Sequence, residues 1–112
     1  KEKTIYFSGD SGYGNHFAEV RTLFPGVSVA LMGVGAYKPE WFMHPNHVSP
    51  VDAVRGFNEM QGKIFIPMHY GTFDISDEPV GEPLRLLQHL ESENKINGLL
   101  RPLQLGENLL EF

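Results

Sequence analysis

The chain has no cysteine, which excludes disulfides and thiolate metal sites and leaves the redox compartment undetermined. Basic residues are scarce: 9 Lys and Arg stand against 14 Asp and Glu, a formal net charge of −5. A chain of this charge offers no broad basic face, so no nucleic acid partner is expected. No apolar run reaches the ~18 residues of a membrane-spanning helix, so no transmembrane segment is expected. A dinucleotide cradle is also missing, because Gly33-Val34-Gly35-Ala36 lacks the third glycine and the right opening. Gly9-Asp10-Ser11-Gly12 is not the Gly-x-Ser-x-Gly of a nucleophile elbow, so a serine hydrolase has no support. There is no internal repeat and no low-complexity tract. What remains is ordinary globular material: 112 residues, 41% hydrophobic, read as one domain over 1–112 with a modest core.

Three apolar runs read as buried strands: Thr4 to Ser8, Val27 to Val34 and Lys63 to Met68. Their continuous rather than alternating apolarity predicts cover on both faces. Between them lie helical patterns. Asn15 is a candidate N-cap for a helix over 16–24, with Phe17, Val20, Leu23 and Phe24 at helical spacing and Pro25-Gly26 as its stop. Ser49-Pro50 reads as N-cap and first residue of a second helix running to about Met60, with Ala53, Val54, Phe57 and Asn58 on its apolar stripe. A third spans about Pro83 to Ser92, with Leu84, Leu87 and Leu90. Leu99 to Leu105 and Asn108 to Phe112 read as a terminal hairpin around Gly106-Glu107-Asn108. The order is α/β, with about five strands in a mixed sheet and three helices.

Two strand ends carry metal-competent residues. Asp10 follows the first strand within Gly9-Asp10-Ser11-Gly12, and His69 ends the third before Tyr70-Gly71. Asp10 reads either as a turn carboxylate capping local N–H groups or as a ligand able to bridge two cations. His69 reads either as a hydrogen-bonded packing residue or as a neutral imidazole ligand with Tyr70 and the Gly71-Thr72 backbone beside it. His47 precedes the Ser49-Pro50 helix, where it either packs at the helix entry or contacts substrate or a ligand residue. His44 is expected in solvent, as are His16 and His89. The long segment Tyr37 to Ser49 is rich in aromatics, and Tyr37, Trp41, Phe42 and Met43 form either a satellite core or the apolar wall of a substrate pocket.

Three stretches together resemble the metallo-β-lactamase-fold hydrolases, in particular the branch containing the N-acylphosphatidylethanolamine-hydrolysing phospholipase D and its bacterial relatives. They are Phe7-Ser8-Gly9-Asp10-Ser11-Gly12-Tyr13, then Gly35-Ala36-Tyr37-Lys38-Pro39-Glu40-Trp41-Phe42-Met43 through His47-Val48-Ser49-Pro50, and Met68-His69-Tyr70-Gly71-Thr72-Phe73. The resemblance covers about residues 4–75 and is most specific in its middle stretch. It implies an αββα sandwich of two similar halves, with Asp10 bridging two zinc ions and His69 completing the second site. It places His47 near the metals; Tyr37, Trp41, Phe42 and Tyr70 are expected around a pocket for a small-molecule or phospholipid-like substrate. The implied nucleophile is a hydroxide held between the metals, attacking a phosphodiester or, in other branches, an ester or lactone.

The family's His-x-His-x-Asp-His motif has no counterpart here, nor has a further histidine normally upstream of the Gly-Asp strand. Of the usual ligands only Asp10 and His69 are kept, whereas a catalytic zinc takes about three protein ligands. The chain is therefore expected to be the C-terminal half of such an enzyme, inactive alone, with the N-terminal half of the same protein as its partner. The apolar sheet face left bare would favour a homodimer that imitates the sandwich. Two other readings stay open: a non-catalytic half-fold module acting by association, and a structural metal site shared by Asp10, His47 and His69 of two chains.

Overall fold

The computed structural model of the chain describes residues 2–71, 76–109 and 111–112. Its elements in order are β1 (Ile5–Phe7), α1 (His16–Leu23), β2 (Val29–Gly33), α2 (Glu40–Met43), α3 (Pro50–Glu59), β3 (Ile64–Met68), α4 (Glu82–Ser92) and β4 (Leu99–Leu100). The strands pair in the order β1-β2-β3-β4, and all three pairings are parallel. Parallel neighbours need crossover connections, and those connections are right-handed. In a sheet whose strands follow in simple sequence order, this puts every crossover on the same side. The α1, α3 and α4 helices accordingly form one layer, with α3 between the other two.

Alternation along the strands then divides the sheet into two faces. Ala30, Met32, Phe65 and Leu100 point at the helices and join Phe17, Ala53, Val54, Phe57, Met60 and Leu87 in one core. Ile5 and Phe7, in register with Val29 and Leu31, point the other way. At the centre of that outer face Val29 and Ile66 are covered, but Ile5, Phe7 and Leu99 are 62%, 66% and 49% exposed. The expectation of a first strand buried on both faces is thus corrected: β1 is an edge strand with one face bare.

The α3 helix forms as its sequence dictates. Ser49 Oγ accepts from the Asp52 backbone N–H at 3.2 Å, Pro50 needs no partner at the first helical position, and Ala53, Val54 and Phe57 are buried. The α1 helix departs in its last turn. Asn15 holds the cap position without a side-chain cap bond, and Leu23 and Phe24 lie 71% and 57% exposed rather than on the buried stripe.

Among the described residues the predicted terminal hairpin is not formed, and the sheet is parallel with four strands rather than mixed with five. Among the described residues the segment after β4 contains only a turn, in which Glu107 N–H donates to Gln104 O at 2.9 Å. Pro67 gives the reason for the short β4. Leu99 and Arg101 donate to the carbonyls of Lys63 and Phe65, so alternate residues of β3 face β4. The next such residue is Pro67, which has no N–H to offer, and pairing ends there. Four helices are present among the described residues because the long aromatic segment holds the one-turn α2.

Candidate metal centre

In a parallel sheet the loops that leave the carboxyl ends of the strands converge, and this is where ligands of α/β folds bind. Asp10 lies just past β1 and His69 is the first residue past β3. His47 reaches the same place from the loop ahead of α3. Direct ties hold the strand ends together. Gly33 N–H donates to Ser8 Oγ at 2.9 Å, and Val34 N–H donates to Met68 O at 3.0 Å.

Two glycines allow the loops to close on one another. A Cβ on Gly12 would meet the carbonyl oxygens of His44 and Pro45, and one on Gly35 would collide with the carbonyl oxygen of His69. The Asp10 loop therefore packs directly on the His47 loop, and the turn after β2 packs directly on His69. His69 itself has φ 63°, a left-handed conformation that a non-glycine residue keeps only when its surroundings hold it.

Asp10 Oδ1 stands 3.4 Å from His69 Nε2, and the His47 and His69 rings stack with centroids 5.2 Å apart. One ligand-capable atom from each of Asp10, His47 and His69 lies within 4.8 Å of the others. The donor set is two imidazole nitrogens and a carboxylate oxygen, all suited to zinc. Ligands held ~2.0–2.1 Å from a tetrahedral zinc stand ~3.3 Å apart, close to the Asp10–His69 separation. The three residues therefore fit a metal ion in donor type, and Asp10 and His69 fit it in spacing as well. The site is open on one side, for the Asp10 side chain is 69% exposed.

The other candidate residues fall around this point in different ways. Tyr37 is buried and lines a small cleft beside His47, together with Tyr13, Glu40, His44, Ser49 and Asp52. Burial and a hydrogen bond to Glu82 push its phenol well above the usual tyrosine range, so it stays protonated. Tyr70 is half-buried against the core, with its phenol also raised by burial. Trp41 and Phe42 form an edge-to-face pair that is 83% and 63% exposed. His44 and His89 are exposed as expected. His16 is not free in solvent: its ring lies 4.1 Å from the Phe17 ring, and its Nε2 is 3.0 Å from Ser11 Oγ. Thr72 and Phe73 of the third matching stretch lie outside the described residues.

Sequence reasoning passed over two acidic residues that hold the site's surroundings. Glu78 is buried against the turn after β2, and Glu82 takes a hydrogen bond from Tyr37 and an ion pair from Lys38 at 3.0 Å. Both occur in the acidic stretch Asp74 to Glu82, and no local pattern marks either.

The family described as beta-lactamase superfamily domain matches residues 1–70. An uncharacterized protein of Mycobacterium tuberculosis is 34% identical over 94 residues, which are 80% of this chain and 24% of that protein. The mitochondrial N-acyl-phosphatidylethanolamine-hydrolyzing phospholipase D of Saccharomyces cerevisiae is 31% identical over 88 residues, 77% of this chain and 19% of that one. The chain thus spans about a quarter or less of the length of these relatives. Among solved structures, the metallo hydrolase Igni18 of Ignicoccus hospitalis superposes with a TM-score of 0.69 at 23% identity, covering 97% of this chain and 41% of that one.

Proposed function

The chain belongs to the beta-lactamase superfamily domain family and has the metallo-β-lactamase fold, and from that premise we propose that it is the C-terminal part of a metal-dependent, phosphodiesterase-like hydrolase. The observation that carries this reading is the convergence of Asp10, His47 and His69 at the carboxyl ends of the strands. Asp10 and His69 would hold zinc, two ions in the intact enzyme, and His47 would either join them as a ligand or face the substrate. When bound, such a metal supplies an activated water near neutral pH and positive charge for a developing oxyanion. Tyr37, kept protonated and pinned by Glu82, shapes the adjoining cleft and excludes water from its inner wall. The similarity to a phospholipase D favours a phosphodiester, phospholipid-like substrate over a lactone or simple ester.

The N-terminal half of the same protein is the proposed partner. It would cover the open side of Asp10 and the bare outer face of the sheet, and would contribute the remaining ligands. Without that half the chain is expected to be inactive. The exposed Ile5, Phe7 and Leu99 also favour a second reading, in which two copies of the half-fold associate through this face.

Elemental analysis of the full-length protein should find about two metal ions per chain. Asp10→Ala should lose metal and hydrolysis of phosphodiesters together, because a zinc site short of its third protein ligand holds metal poorly. Retention of both ions by the Asp10→Ala variant would overturn the assignment.

A further inference from the structure

Glu78 is 7% exposed, yet among the described residues it has no cationic partner. Its charge is met by neutral donors. Oε2 accepts from the Ala36 N–H at 2.7 Å and from the Ser76 hydroxyl at 2.8 Å. Oε1 accepts from the N–H groups of Lys38 at 3.0 Å and Tyr37 at 3.2 Å. Three successive N–H groups aimed at one anion form a backbone nest, made possible here by Ala36 at φ 59°. Burying a carboxylate costs free energy unless every acceptor position is filled. Filled in this way from two segments, it admits one arrangement of those segments and resists others.

The location gives that arrangement its meaning. The turn held by Glu78 follows β2, and Gly35 at its start rests on the carbonyl of His69. Asp77 and Glu78 bind the same turn. Asp77 N–H donates to Lys38 O at 3.1 Å, and Glu82 binds the Tyr37 hydroxyl and the Lys38 ammonium. The left-handed backbone of His69 thus packs on a turn whose clasp is the Glu78 carboxylate.

We infer that Glu78 is a positioning residue for the candidate centre: it fixes the 35–38 turn and, through that turn, the backbone of His69 that sets the imidazole beside Asp10 and His47. This rests on the reading of Asp10, His47 and His69 as a metal site.

The test is titration of the full-length apo-protein with zinc and with cobalt(II), whose visible spectrum reports ligand geometry, in parallel with thermal unfolding. Wild type should bind both ions. Glu78→Gln puts an amide N–H₂ against backbone N–H donors. It should remain folded while metal affinity falls ~10–100-fold and the cobalt spectrum changes. Ser76→Ala removes only one donor and should give a smaller fall in the same direction. A folded Glu78→Gln variant with wild-type affinity and spectrum would overturn the inference. So would wild-type affinity in Ser76→Ala, should the Gln variant fail to fold. A wild-type protein that takes up neither ion would instead overturn the reading of the centre itself, before any variant is compared.

Discussion

Gly35 and Glu78 act on the same turn by different physics. At Gly35 the constraint is space, since any side chain would drive into the carbonyl of His69. Gly35→Ala should lower stability by about 1–3 kcal/mol through backbone displacement, read as a shift in the urea midpoint, and should weaken metal binding with it. At Glu78 the constraint is charge. Burial alone would raise its carboxyl, but the Ser76 hydroxyl and the backbone N–H groups of Lys38 and Ala36 outweigh burial and hold it below its ordinary value of 4.5. A carboxyl depressed in the folded state adds stability that is present above its unfolded value and is lost as pH falls through the folded one. Urea midpoints measured from about pH 6 down to pH 3 should therefore fall less steeply in Glu78→Gln than in wild type. Identical acid limbs would show that the clasp contributes nothing to folding.

Among the elements, α3 is the keystone: it lies between α1 and α4 and contacts β2. Phe57 is fully buried on it, and its ring meets that of Phe65 edge-on at 5.0 Å. Phe57→Ala should cost about 3–5 kcal/mol, and a chemical denaturation midpoint close to wild type would show that the core closes over the gap. The helix was legible in the sequence because its signals are local: Ser49 and Pro50 at the start, then apolar residues at helical spacing. The α1 helix was legible only in part. Leu23 and Phe24 keep the spacing of Phe17 and Val20, but the fold leaves both exposed. Pro67 was visible as a proline in a strand, yet its effect on β4 depends on which way its missing N–H would have pointed.

For the whole molecule, the exposed part of the outer sheet face is expected to govern association in solution. Ile5, Phe7 and Leu99 are the exposed apolar residues of the outer sheet face, whose centre at Val29 and Ile66 is covered. Such a surface favours association. The isolated chain is expected to dimerise under light scattering at high concentration, and Phe7→Lys should shift it toward monomer. A strictly monomeric wild-type chain would count against the half-fold module. In the full-length protein the same substitution should destabilise the packing of the two halves and leave Asp10, His47 and His69 in place.

The sequence by itself determined the α/β order, the capped α3 helix, and the presence of Asp10 and His69 at two strand ends, because each depends on neighbours a few residues away. Its three matching stretches also pointed to the family to which the chain belongs. Tertiary structure decided the rest. The spacing of Asp10, His47 and His69 depends on loops that touch only because Gly12 and Gly35 lack side chains. The clasp at Glu78 joins residues about forty positions apart, a separation over which no local periodicity carries information. The single layer of helices among the described residues follows from strand order and crossover handedness, which are properties of the assembled sheet.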